Sequence, residues 1–585
     1  MITLFARDPL VVTYEGGRDA EGPLSIGQLN ILRWLEDLPR NYGWEKGVLD
    51  VPAGAAVEDV GAALAALVAR HEGLRTYYDV TGPEPVQRVR ASGEVTVELY
   101  ELGPEHDPDA LPVAELRQRL RECLYGRPTP DQREVQMRIA VATRGDLAIT
   151  GVVQYSHLAV DYFAVALLER EFAEMMRDPA ARLRGPARHQ PLDQAQADRT
   201  PRLRRRAAAA LEQWESGLRA APQCAYPAAA GAAGTGGTAA AELRSEAAAM
   251  ALANAANRTG LSRPTIVMAA MSAVLGHRTG APTVTFMALS ANRFDSMLSD
   301  YIGSLVQSVL ISLDVDDTGF DALARRAWHA TLRSARYGTY DVDQRTGIAD
   351  RVQRERGVHF SFEPLFNNRV ADTMSSRSPA DSPAKYSPEE IGAALPRTSL
   401  NWSIRVTTDV LMLFDLQQVD EVVRLRLRTW HPDRLPEEEI ERLLLAVERV
   451  LVAAGAGDLD AGRLDAAIGL GAIPRDDDWI LLDACWIQLS EVRRLVDDAL
   501  APARARVFAA AGDRRLVAYL AADGHVRTPE QAHALCMAAL PGRFTAMTPR
   551  HYVLCAGAPD DVTDLAAWRR LEVLAEGSGR DGDAQ

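Results

Sequence analysis

From Ser25 to about Tyr78 the apolar positions change period in a way that predicts helix, strand, helix. GVLDVP alternates as a half-buried strand does, and VEDVGAALAALVARHEGL carries apolar residues at helical spacing. A further strand and turn follow at YDVTGPEPVQRV. Residues 112–124 read as a helix. MRIAVATR and LAITGVVQY read as a strand pair around the turn Gly145-Asp146, and a helix is expected from about Phe163 to Met176.

The second half repeats this mixture. SRPTIVMAAMSAVLGHRTG predicts a helix, TVTFMALS and SLVQSVLISLDV predict strands, and residues 320–337 predict another helix. Strands over 400–429 and the helix PEEEIERLLLAVERVLVAAG close it. The Ala-, Gly-, Pro- and Thr-rich stretch from about Ala221 to Ala241 has no amphipathic period and reads as a flexible connection. A polar segment near 371–396 reads as a loop, Ala453 to Asp460 as a linker, about 464–575 as a small α/β unit, and EGSGRDGDAQ (576–585) as a disordered tail. Two similar αβ halves, 1–220 and 221–455, suggest a pseudo-dimer with a ligand-binding cleft between them.

Composition narrows the function classes. The chain has 585 residues, 47% hydrophobic and 25% charged, which is a globular composition long enough for several cores. No apolar stretch reaches the ~18 residues a membrane span needs, and the N-terminus lacks a cleavage pattern, so a cytoplasmic protein without a membrane partner is expected. The five cysteines are scattered without C-x-x-C spacing, which argues against disulfides and zinc. Net charge is −15, and lysine occurs only at Lys46 and Lys385. Nucleic acid is disfavoured as a partner, and a phosphate-gripping Walker lysine is absent.

The chemistry concentrates in Gln154-Tyr-Ser156-His157-Leu-Ala-Val-Asp161-Tyr162-Phe163, where an apolar strand ends and an amphipathic helix begins. A histidine on such a turn can take a proton from an attacking amine or hydroxyl, or hold that nucleophile in line. Asp161, four residues on, either orients His157 or is itself held in a structural bridge by an arginine.

This stretch resembles the His-His-x-x-x-Asp-Gly signature of the condensation domains of nonribosomal peptide synthetases. Leu67-Val-Ala-Arg70-His71-Glu72-Gly-Leu-Arg75-Thr76 is similar to that family's RHExLRTxF motif, and Pro23-Leu-Ser25-Ile-Gly-Gln28-Leu-Asn-Ile-Leu-Arg-Trp34 to its opening motif. LEQWESGLRAAP, SANRFDSMLSDYIGSLVQSVL, HFSFEPLFNN and LFDLQQVDEVVRLRLRTWHPDRLPEEEIERLL continue the likeness in order. The resemblance implies an α/β (α+β) fold of two chloramphenicol-acetyltransferase-like lobes in a V-shaped pseudo-dimer, with a small α+β C-terminal domain. It places the catalytic histidine at His157, the structural aspartate at Asp161 and its pairing arginine at Arg293. Ser156 stands where the family has its first histidine and Tyr162 where it has glycine, changes that point to a reshaped passage or to lost catalysis. Arg70, His71 and Arg75 read as exposed, with a mainly structural role implied.

Residues 479–495 and the segments behind them resemble the small C-terminal subdomain of an adenylation domain. The lysine expected there falls near Val562-Thr563-Asp564, so the unit reads as a relic. The implied function is a free-standing condensing acyltransferase forming an amide between an acyl thioester and an amine acceptor, either a free small molecule or carrier-bound. The thioester rides on the phosphopantetheine arm of an acyl or peptidyl carrier protein supplied in trans, with no cofactor or metal bound. A docking platform without chemistry and an ester-forming enzyme are the alternatives.

Overall fold

The computed structural model describes residues 2–36, 43–82, 84–108, 111–124, 135–227, 239–315, 319–370, 385–403, 412–509, 515–522 and 524–580. The chain divides into two compact units. One comprises Met1–Ala210, Ser290–Gln307 and Gly338–Val342; the other comprises Leu211–Leu289, Ser308–Tyr337 and Asp343–Gln585. Two segments of the expected 221–455 lobe thus pack with the first unit, and the expected 464–575 domain is continuous with the second. Among the described residues, no helix is long and apolar enough to cross a membrane.

The strands of the first unit are β1 (Leu4–Ala6), β2 (Leu10–Glu15), β3 (Ala20–Pro23), β4 (Trp44–Leu49), β5 (Thr76–Asp79), β6 (Val86–Val89), β7 (Ser92–Leu102), β8 (Met137–Arg144) and β9 (Leu147–Ser156). The main sheet runs β1-β7-β8-β9-β4 with β2 also on β7, and β3-β6-β5 form a smaller sheet. β1, β2 and β7 were not anticipated, although β2 and part of β7 carry the alternation of buried and exposed positions that marks a half-covered strand. Helices α1 (Ile26–Glu36), α2 (Val57–Arg70), α3 (Val113–Leu124) and α4 (Tyr162–Arg177) accompany these sheets. α2 has Glu58 and Asp59 in its first turn and Arg70 in its last, matching the helix dipole, and it buries Val60, Ala63, Leu64, Leu67 and Val68.

His71 and Arg75, read as exposed, are each only 1% exposed. His71 Nε2 lies 2.7 Å from Glu171 Oε2, which also takes Arg70 Nε at 3.2 Å. Arg75 donates to the carbonyls of Arg18 (3.1 Å) and Arg90 (2.5 Å). These bonds satisfy part of each buried group, while His71 Nδ1 and Arg75 Nε have no hydrogen-bond partner among the described residues. Gly27 brings α1 close to residues 304–305: a Cβ there would lie 2.9 Å from Leu305 Cα, so only glycine fits without movement.

In the second unit, β10 (Ala239–Ser245), β11 (Thr283–Ser290), β12 (Gln307–Asp314), β13 (Leu365–Asn368), β14 (Ser399–Ser403), β15 (Leu413–Gln418) and β16 (Val423–Thr429) form one sheet in the order β12-β11-β13-β15-β16-β10-β14. The helix Arg263–Thr279 is apolar nearly all round and buried from Pro264 to Gly276. Most of the connection expected over 221–241 and of the loop expected over 371–396 lies outside the described residues. Their ends are structured: β10 begins at Ala239, and Ser387 and Glu390 form a capping box opening the helix Pro388–Ala394. The expected linker at 453–460 is held in place, because the helix Glu437–Ala456 covers its start and Leu459, 1% exposed, accepts from Phe320 N at 2.8 Å.

The same unit carries β17 (Trp479–Leu482), β18 (Cys485–Gln488), β19 (Ala505–Ala509), β20 (Leu516–Ala521), β21 (His551–Cys555) and β22 (Val573–Gly577), with β19-β20-β21-β22 as a sheet. β17 and β18 are joined through Asp483 and Ala484, both at positive φ, the two-residue hairpin geometry. Polar contacts bind this region to the rest of the unit. The Gln223 amide donates to the Ala546 carbonyl at 2.8 Å, Arg356 to the Asp483 carbonyl at 2.7 Å, and Thr548 N to the Gly357 carbonyl at 2.8 Å. The expected disordered tail therefore begins too early at 576. Glu576 and Gly577 pair with β21, and Arg580 donates to the Glu355 carbonyl at 2.9 Å; residues 581–585 lie outside the described residues.

His533 reports on this packing. Burial, with the charge of Arg580 beside it, pushes its imidazole down from 6.5 to about 4, although the ring also bonds the Arg354 carbonyl. The unfolded chain binds the proton more readily, so this stability is fully present above about pH 6.5 and is lost as pH falls towards 4. A fall of about 3 kcal/mol across that window is expected from His533. In pH-resolved urea denaturation, His533→Asn should flatten the profile between pH 6.5 and 4; an unchanged slope would show that His533 does not titrate there.

Candidate functional site

β9 ends at Ser156, which lies opposite Trp44 in β4, while Glu45 lies opposite Tyr155. The chain then makes one tight turn, in which the Ala159 and Val160 amides donate to the Ser156 carbonyl at 2.9 and 3.1 Å. His157 sits on that turn with its amide on the Gly43 carbonyl at 2.7 Å and its carbonyl accepting from Ser304 Oγ. Asp161 caps α4: its Oδ1 accepts from Ala164 N at 2.9 Å.

The same carboxylate accepts Arg293 Nη2 at 2.8 Å on Oδ1 and Leu305 N at 3.0 Å on Oδ2. The side chains of Asp161 and Arg293 are 1% and 10% exposed. Arg293 also donates to the carbonyls of Leu298 (3.1 Å), Tyr301 (2.6 Å) and Gly303 (3.2 Å), and its guanidinium lies 5.7 Å from the Tyr301 ring. Burial pushes the Tyr301 phenol well above its ordinary range. Asn292, at φ 54°, holds the start of this loop through bonds to the Leu305 and Gly338 carbonyls, both 2.8 Å.

Of the two arrangements open to Asp161, the structure adopts the bridge to arginine. Among the described residues, its hydrogen bonds go to Ala164, Leu305 and Arg293, none to His157. The imidazole instead meets Glu45, with Nε2 3.3 Å from Oε1, and stands at 72° to the Trp34 ring with centroids 5.6 Å apart. His157 Nδ1 is buried with no hydrogen-bond partner among the described residues. The side chains of His157 and Glu45 are 15% and 20% exposed, so the pair is recessed yet open. Sequence reasoning missed Glu45, which lies in GWEKG without a pattern that singles it out; only strand pairing brings it beside His157.

The two departures also find their places. Ser156 is the half-buried last residue of β9, its amide bonded to the Gln136 carbonyl at 2.9 Å. Tyr162 opens α4, is 41% exposed and packs edge-on to Phe163 at 5.9 Å. The described non-glycine residues at positive φ are Asn292, Phe362, Asp483 and Ala484, so tyrosine stands at 162 without the strained dihedral that glycine alone tolerates.

Comparison with known proteins follows the same lines. The family model for the condensation domain matches residues 22–394. A search of curated proteins gave no match. The SgcC5 protein of Streptomyces globisporus, solved with (R)-(-)-1-(2-naphthyl)-1,2-ethanediol and sucrose, is 18% identical, with 74% of this chain and 99% of that one covered at a TM-score of 0.54. A structure of condensation domain-mediated chain release from the enacyloxin polyketide synthase is 18% identical over 79% of this chain and 85% of that one, TM-score 0.55. The first condensation domain of the calcium-dependent antibiotic synthetase, with a substrate analogue, is 18% identical over 75% and 96%, TM-score 0.51. At such identities the shared property is the mixed α/β fold of the chloramphenicol-acetyltransferase type.

Removing the buried carboxylate leaves an internal guanidinium without its counter-charge. Asp161→Ala should cost about 3–5 kcal/mol in urea denaturation of the purified chain. A loss under about 1 kcal/mol, the range of exposed ion pairs, would show that the bridge does not hold the turn.

Proposed function

We propose, for a chain that belongs to the condensation-domain family, that it is an acyltransferase joining a carrier-bound acyl thioester to an amine. The observation that carries this reading is His157, fixed on a turn whose two ends are tied to Gly43, Ser304 and the Asp161 clamp, with a partly open imidazole. The amine nitrogen attacks the thioester carbonyl, forming the C–N bond as the C–S bond breaks. His157 takes the proton the amine gives up and returns it to the departing thiolate of the phosphopantetheine arm. Proximity of two held reactants supplies much of the remaining acceleration.

The acyl group arrives on the phosphopantetheine arm of a carrier protein, and the protein works in the cytoplasm. A hydroxyl acceptor giving an ester would use the same groups. The C-terminal region is a relic of an adenylation subdomain. Where that family has its lysine, Asp561 binds Thr563 N at 2.8 Å and Asp564 caps the helix Leu565–Arg569. Acidic groups there cannot neutralise phosphate charge. ATP–pyrophosphate exchange should stay at background with every amino acid; exchange above background would overturn the relic reading.

Substitution of Ser156 and Tyr162 for the family's histidine and glycine favours a second reading, a docking platform without chemistry. The test incubates the purified chain with carrier proteins loaded with candidate acyl groups and amine acceptors, followed by intact-protein mass spectrometry. His157→Ala should lower product formation by about two to four powers of ten with an unchanged melting temperature. Tyr162→Gly should preserve or raise turnover. Product from His157→Ala equal to wild type would leave the platform reading in place.

A further inference from the structure

The arginines of the first unit engage its carboxylates repeatedly. Glu72 holds Arg18 at 2.7 Å, Glu101 holds Arg7 at 3.2 Å and Glu171 holds Arg70 at 3.2 Å. Glu45 departs from this habit: among the described residues, the group within ion-pair distance of it is the His157 imidazole. The nearby Arg138 guanidinium lies over the ring of Trp44, 5.2 Å from its centroid. Successive residues of a strand point to opposite faces, so that cation is on the other side of β4 from Glu45. The Glu45 carboxylate is therefore recessed and within ion-pair distance of His157 Nε2. The Trp34 ring, 41% exposed, stands 5.6 Å from the same imidazole.

A partly buried carboxylate has the chemistry of an ammonium site. A charge-assisted N–H···O bond is about twice as strong as a neutral one. A hydroxyl also donates to the carboxylate, but without the charge. We propose that Glu45 is the specificity residue of the acceptor site, binding the acceptor's primary ammonium beside His157 and so selecting amines over alcohols; the ammonium releases one proton to solvent before the free amine attacks. This rests on the reading of His157 as the reacting histidine and deepens it.

The test reads binding rather than turnover. The full chain is labelled with 15N-histidine, the His157 resonances are identified by their loss in His157→Ala, and two amide analogues of N-acetylcysteamine thioesters are titrated, one glycyl and one glycolyl. The glycyl probe should shift the His157 resonances and bind at least about tenfold more tightly than the glycolyl probe in wild type. Glu45→Gln, which keeps the shape and removes the charge, should erase the difference while leaving glycolyl binding within about twofold. Equal binding of the two probes to wild type, a preference that survives in Glu45→Gln, or no response of His157 to the glycyl probe would each overturn the proposal. Loss of product in His157→Ala together with any of these results would sink the Glu45 assignment alone. A charge-dependent preference with full product in His157→Ala would keep the ammonium site and sink the catalytic reading.

Discussion

The Asp161 carboxylate is where the first unit is tied together. One side chain caps α4, receives the Arg293 guanidinium and takes the Leu305 amide, and Arg293 in turn gathers three carbonyls of its own loop. A buried ion pair is seldom a net source of stability, since removing both charges from water costs nearly what their attraction returns. Its value here is geometric. Two stretches of chain more than 130 residues apart in sequence, the turn at 156–161 and the loop at 292–305, are fixed to one another through directional bonds. Ser304 closes the same arrangement on the His157 carbonyl.

The imidazole position follows from that clamp and from strand pairing. Asp161 is engaged by three other donors, and the ring meets Glu45 and Trp34 instead. The signature histidine is thus separated from its neighbouring aspartate: in the proposed reaction His157 meets the reactants, while Asp161 holds the backbone that carries it. Tyr162 adds bulk at the mouth of the turn without bending the backbone, so its effect is steric.

In the second unit the polar contacts play the same part for the C-terminal region. Gln223, Arg356, Thr548 and Arg580 each bond a backbone carbonyl, or donate a backbone amide to one, across the region's boundary, and a unit so bound is a fixed part of its host.

Periodicity in the sequence was enough for α2, α3 and α4, for the helices Arg263–Thr279, Phe320–Arg336 and Glu437–Ala456 and for the strand pair β8–β9, because burial of one face imposes its repeat on the side chains themselves, but it did not pick out the helices Glu246–Thr259 and Val342–Arg356. The ordered motifs carried the family, and the residue types at 157 and 161 carried the candidate chemistry. Strands β1, β2 and β7 escaped because short alternating runs near polar stretches resemble loops until a partner strand is known. The interior placement of His71 and Arg75 also escaped, since such a side chain reads as exposed until its partners, the Glu171 carboxylate for His71 and two backbone carbonyls for Arg75, are in place. Which partner Asp161 takes, and that Glu45 stands at His157, were decided by tertiary structure alone: hydrogen bonds and ion pairs act over about 3 Å, and only folding brings residues 132 and 112 positions apart to that distance.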